Sequence, residues 1–234
     1  MIRVLALALF LAAVGCSRTD TTPSTGEDAE ASPAPGSRPV GRYRGLYTVA
    51  ASPDSGVLAL CEGGTLAVRD RTGGELRRAH EALGGGPEGA VFVEVRAQSP
   101  TTDDPALAVV DLVRASPVGE GAGCAEPPAP YRFRASGNEP FWSATVARDS
   151  IVFEQPEEPR RVAAPLTGRE DGAGRRIFHA ATSGSSAHSI RVTLTPGRCA
   201  DSMSGALYSF SAEVVFDGRT LSGCARAGDL GEAP

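Results

Sequence analysis

The sequence predicts an all-β chain: a five-stranded OB-like barrel carrying one helix, then a second antiparallel β barrel or sandwich. Three observations predict it. The apolar residues lie in short runs, several alternating with polar ones at the period of a half-buried strand. Glycine (28) and proline (18) punctuate the 234 residues densely, and aromatic residues make up only 6%. One stretch, 74–83, reads as helix, and it stops at Gly84, Gly85 and Gly86, a C-terminal stop signal.

In chain order, residues 41–118 form the OB-like domain. Strands are expected at 57–61 and 65–69 around a Glu62-Gly63-Gly64 turn. The helix follows, then a strand on which Val91, Val93 and Val95 alternate with Phe92, Glu94 and Arg96, then a last apolar strand over 106–113. A helix between the third and fourth of five strands is the OB order. Residues 119–130 are rich in Gly and Pro and read as a linker. Residues 131–226 form the second domain, in which Ile190, Val192 and Leu194 share one strand face and 208–216 repeats the alternation. Asp217-Gly218 is a hairpin signal that returns the chain over 219–224. Residues 227–234 are a tail.

Residues 1–16 read as an export signal. Arg3 precedes an apolar run, Val4 to Val14, that is too short to span a bilayer as a helix. Ala13-Val14-Gly15 before Cys16 resembles the lipobox of bacterial lipoproteins, which implies that Cys16 carries lipid, including palmitate, and becomes the new N-terminus. Ser17, rather than Asp, follows it; by resemblance to the sorting pattern of enteric bacteria this implies the outer membrane, facing the periplasm. Residues 17–40 hold few large apolar groups and are expected to be a disordered tether with a reach of roughly 25 to 30 Å.

The net charge is −5, and loss of the signal removes one more cation. This argues against nucleic acid as a partner, which rewards clustered cations; the membrane is reached through the lipid. The absence of lysine excludes a Schiff-base lysine, a P-loop lysine and a Ser/Lys dyad. Setting Cys16 aside leaves Cys61, Cys124, Cys199 and Cys224, which read as two disulfides in an exported chain. Of the three possible pairings, domain boundaries favour Cys61 with Cys124 and Cys199 with Cys224. No CxxC and no zinc-ligand spacing accompany them, so neither a metal site nor another cofactor is expected.

Gly41-Arg-Tyr-Arg-Gly45, Leu60-Cys61, Thr65-Leu-Ala-Val68, Gly74-Glu-Leu76 and Val91-Phe-Val-Glu-Val95 resemble the C-terminal OB domain of NlpE-type outer-membrane lipoproteins. In that family a disulfide joins an early strand to a position just beyond the last one, and Cys61 and Cys124 occupy comparable places. The family is associated with surface sensing, envelope-stress signalling and copper tolerance. Its CxxC-bearing N-terminal domain has no counterpart here, so copper or redox sensing stays an alternative. In the second domain, Tyr131-Arg-Phe-Arg-Ala-Ser-Gly-Asn-Glu-Pro-Phe-Trp142, Cys199-Ala-Asp-Ser-Met-Ser204 and Gly223-Cys224-Ala225 resemble the signatures of an uncharacterised family of bacterial envelope lipoproteins. That family sometimes accompanies lysozyme-inhibitor-like domains, which implies envelope protection.

The candidate binding residues are Asn138, Glu139, Phe141, Trp142, Asp201 and Ser204. Phe141 and Trp142 can form an aromatic platform with Asn138 and Glu139 as polar handles; the commoner use is structural, with Asn138 closing a turn and Trp142 plugging the barrel. Asp201 and Ser204 suit a locked tight turn. A nucleophilic Ser202 or Ser204 would need His179 or His188 as base, and no GxSxG elbow surrounds either serine. His179 and His188, with Met203 and Glu139, fall in no ligand motif, and His80 is expected on the solvated side of its helix. Ser183-Gly-Ser-Ser-Ala-His188 resembles, faintly, the Ser/Gly loop with which some bacterial inhibitors plug lysozyme, and it also suits an ordinary hairpin. The expected function is non-enzymatic: an interaction or envelope-stress and surface-sensing module with envelope proteins as partners. A lysozyme-inhibitor-like protein is the first alternative, and a hydrolase comes last.

Overall fold

The computed structural model describes residues 38–86, 89–119, 123–126, 130–172 and 174–230. The signal, Cys16, nearly all of the tether and the end of the tail lie outside these residues.

The first half comprises β1 (Val40–Val49), β2 (Ser55–Leu60), β3 (Thr65–Asp70), α1 (Glu75–Ala82), β4 (Val91–Gln98) and β5 (Leu107–Ser116). Lateral order is β5-β3-β2-β1-β4, with β4 also pairing β5; β3–β5 is parallel and the other pairs are antiparallel. Gly45 permits β1 and β2 to close up, because a Cβ there would lie 2.1 Å from the Ala59 carbonyl oxygen. Two side chains start α1 by taking its orphan N–H groups. The Thr72 hydroxyl accepts from Glu75 N at 2.9 Å, and the Asp70 carboxylate accepts from Leu76 N at 3.2 Å.

Leu76, Ala79 and His80 share the buried face of α1. A solvated His80 is therefore corrected: the 3.6-residue period puts it beside Leu76. There its Nε2 lies 2.8 Å from the Gly89 carbonyl and its ring meets Tyr47 edge-on.

The second half comprises β6 (Phe133–Asn138), β7 (Phe141–Val146), β8 (Ser150–Glu154), β9 (Arg161–Gly172), β10 (Arg175–Ala181), β11 (Ser189–Ala200), β12 (Leu207–Phe216) and β13 (Arg219–Ala227). Each strand pairs antiparallel with the next, and β13 returns to β6, closing an eight-stranded barrel. Closure settles the choice between barrel and sandwich.

Eight strands leave an interior just wide enough for side chains, and alternation supplies them. Phe133, Phe153, Phe178, Phe210 and Phe216 point inward with the small Ala135, Ala144, Ala164 and Ala225 between them. Phe133 packs on Phe178 and Phe210 at 5.6 and 5.5 Å, while Phe153 stacks on Phe216 at 4.3 Å. Each buried Phe stabilises by about 1.5 to 3 kcal/mol relative to exposure. Arg176 lies over Phe133 and Phe210, at 5.5 and 5.6 Å from the ring centres.

Register shifts between Pro196 and Cys199, where the β11–β12 hairpin leaves the barrel. Pro196 has no N–H to give the ladder and Gly197 has φ 148°, a combination that suits a bulge. The hairpin end lies over the outer wall of β13 and β6, stapled there by Cys199–Cys224 (Cα–Cα 5.5 Å). The second disulfide joins Cys61 to Cys124 (Cα–Cα 5.2 Å). Both pairings are those that domain boundaries favoured.

The two halves meet along β5 and β12, through Leu207↔Ala115 and Tyr208↔Arg114. Around this short ladder lies a buried ionic cluster. Glu94 on β4 pairs with Arg42 (3.3 Å), Arg44 (3.2 Å) and Arg226 of β13 (3.4 Å). Glu126, just after Cys124, bonds both Arg114 and Arg226. Arg226 Nε also donates to Tyr131 Oη at 2.9 Å, and Arg44 donates to the Gly123 carbonyl at 2.9 Å. Burial would push the Glu126 carboxyl up, but the hydrogen bonds and charges of Arg226 and Arg114 outweigh it and hold the group at about 2. Arg44 and Arg114 also lie over the Phe92 ring, at 5.9 and 5.6 Å.

Candidate functional site

The two signature segments of the second half, far apart in sequence, meet on one patch of the barrel's outer wall. On β6, Phe133 and Ala135 point into the core, so Ser136 and Asn138 point out. On β13, Leu221 and Ala225 point in, so Ser222 and Cys224 point out, and Cys224 is covered by the overhanging hairpin. Two glycines bring these strands together. A Cβ at Gly223 would lie 2.0 Å from the Ser136 carbonyl, and one at Gly137 would lie 2.4 Å from Trp142 Nε1.

Trp142 is 5% exposed and belongs to the barrel core, so it is the plug rather than the platform. Phe141, one residue earlier on the same strand, faces out directly across from Asn138 and is 54% exposed.

Asn138 joins the two segments: its Nδ2 donates to Asp201 Oδ2 at 2.9 Å and reaches Ser202 Oγ at 3.4 Å. The other Asp201 oxygen accepts from Met203 N (3.1 Å), Ser204 N (2.7 Å) and Ser204 Oγ (2.7 Å), closing a tight turn. Although desolvation would raise it, the Asp201 carboxyl is held below the usual range by the hydrogen bonds from Ser204, Asn138 and Met203. Asn138, Asp201 and Ser204 are thereby occupied in holding the turn against the wall. Met203, at its tip, is 68% exposed.

Between turn and wall lies a shallow depression of about 270 Å³, lined by Ser136, Asn138, Glu139, Asp201, Ser202 and Ser222 among others. Its charged lining residues are Glu139 and Asp201. Among the described residues, Glu139 has no hydrogen-bond or ion-pair partner.

The histidines are engaged elsewhere. His179 Nε2 lies 3.1 Å from Glu170, and His188 Nδ1 lies 2.7 Å from Asp217 while its ring stacks on Phe216. Neither is brought to Ser202 or Ser204. Among the described residues no group of three or more His, Cys, Asp and Glu is placed to hold a metal ion.

Sequence reasoning missed Met203 as a surface group, although it stands inside the quoted signature. It also missed the ionic cluster, whose signal was a charge set within otherwise apolar strands, as at Glu94 and Arg114. Comparison with protein-family models, with curated proteins and with solved structures finds no match to this chain.

Proposed function

We propose that the protein is a lipid-anchored component of the bacterial cell envelope that acts without catalysis, as an interaction or envelope-stress and surface-sensing module. One observation carries this reading. Asn138, Asp201 and Ser204 of the signature segments are used to fix a wall, and the large apolar groups presented outward beside them are Phe141 and Met203. Large apolar groups held out by a disulfide-braced, hydrogen-bonded frame suit contact with another macromolecule.

The address rests on the lipobox resemblance at Cys16 and on Ser17, which point to the outer membrane facing the periplasm. The first half is read as OB-like, a reading supported by the parallel β3–β5 pair and by α1 lying between β3 and β4.

The test is a photocrosslinker at position 141 in intact cells, with fractionation of a Cys16→Ala control. A specific adduct and loss of membrane association in the control are expected. A hydrolytic activity abolished by Ser204→Ala would overturn the reading. The lysozyme-inhibitor alternative draws support from the exposed Ser183–Ser186 loop beside the His188–Asp217 pair. It fails if excess protein leaves c-type lysozyme turnover unchanged.

A further inference from the structure

Resting on that interaction reading, we propose that the wall patch receives a basic, apolar-bearing segment of a partner protein. The segment's cationic side chain enters the depression at Glu139, and an apolar neighbour lies on Phe141 and Met203.

Three features of the patch carry this. Its electrostatics have one sign, since Glu139 and Asp201 are the charged groups lining the depression. Although desolvation opposes it, four hydrogen bonds hold Asp201 in its ionised form, with its carboxyl below the usual range. Glu139, by contrast, has no internal partner among the described residues, so its charge is available.

The apolar half lies close by. Phe141 is the direct cross-strand neighbour of Asn138, and Asn138 is bonded to the turn that carries Met203. Directly opposed residues on such a pair have Cβ atoms about 5 Å apart, so an arginine and an adjacent leucine span both halves. The frame is also rigid, stapled by Cys199–Cys224, so binding does not first have to order it. The chain's own acidity adds steering toward a basic partner. The next depression along the wall differs in charge: it holds Arg175 together with Arg191, which pairs with Glu213 at 3.7 Å.

Met203 is one of two methionines in the chain, the other being the initiator, so its methyl group is a site-specific NMR probe. The purified full chain, labelled at methionine methyls, is titrated with the octapeptide (Arg-Leu)4, and with (Glu-Leu)4 and (Arg-Ser)4 as controls. A saturable shift of the Met203 methyl is expected with (Arg-Leu)4, weaker binding with (Arg-Ser)4 and none with (Glu-Leu)4. Glu139→Gln should weaken (Arg-Leu)4 about fivefold, the worth of one exposed ion pair.

Equal response to (Glu-Leu)4, unchanged affinity in Glu139→Gln, or no saturable shift with (Arg-Leu)4 overturns the proposal; equal affinity for (Arg-Ser)4 overturns its apolar half. The near-ultraviolet signal of Trp142 verifies that the variant is folded. A crosslinked partner at position 141 combined with a failed titration leaves the interaction reading standing and removes this one.

Discussion

The junction between the halves and the signature patch on the barrel wall are built from the same chemistry and turned in opposite directions. In each, carboxylates bridge chain segments remote in sequence: Glu94 and Glu126 with Arg226 at the junction, Asp201 with Asn138 on the wall. At the junction the charged groups face one another inside the molecule, where Glu94 is 5% exposed. On the wall the bridging groups also satisfy one another, but Phe141, Met203 and Glu139 are left pointing out. The contrast separates polar residues that hold structure from those with capacity to spare. A motif's polar positions are not thereby its free positions: here Asn138, Asp201 and Ser204 are consumed by one another, while Glu139, Phe141 and Met203 are exposed.

The sharpest break of that comparison is Glu94→Ala. It leaves Arg42, Arg44 and Arg226 short of a buried counter-charge, and a loss of about 3 to 5 kcal/mol is expected in urea unfolding. A cost below 1 kcal/mol would show that the cluster is no tie. Removing the wall staple with Cys199→Ala and Cys224→Ala should cost about 3.5 kcal/mol on the chain-entropy account of its loop, read by thermal unfolding against the untreated chain.

Acid gives the next effect. The Glu126 carboxyl is depressed from 4.5 to about 2, so its stabilisation is complete above 4.5 and is lost as pH falls through 2. Urea midpoints measured from pH 6 to pH 2 should fall less steeply in Glu126→Gln than in the parent. Asn138→Ala should cost about 1 kcal/mol and raise the exchange rates of the Met203 and Ser204 amides. Smallest in stability is Phe141→Ser, within about 0.5 kcal/mol by denaturation, although it should abolish crosslinking from position 203. A large destabilisation there would make Phe141 a structural residue and erase the contrast.

What the sequence showed depended on the range of each interaction. The strands near 190 and 210 and the Asp217-Gly218 hairpin were legible, because alternation and turn chemistry are written within a few residues. The closing β6–β13 pair was not, since nothing local records that Ser136 meets Cys224. The expected apolar strand over 106–113 stops short of Arg114, whereas β5 continues through it to Ser116; a charge in a strand looks solvent-facing until a partner such as Glu126 is known. For the same reason the Gly/Pro stretch 119–130 gave no hint that Glu126 sits between two arginines. At the patch, the residue types were visible, but which of them would be consumed by one another depended on the hairpin bending over β13 at Pro196-Gly197.

That bend has a mechanical consequence. The overhanging hairpin begins at the β5–β12 ladder and also reaches α1, where Arg198 pairs with Glu75 at 2.7 Å. A pull between Val40, at the start of β1, and Phe141 on the barrel wall is carried across the junction by the ladder, the Arg226 bonds and this ion pair side by side. Connections loaded in parallel share the force and give way together, so tension on the chain is transmitted to the wall rather than absorbed by stretching between the halves.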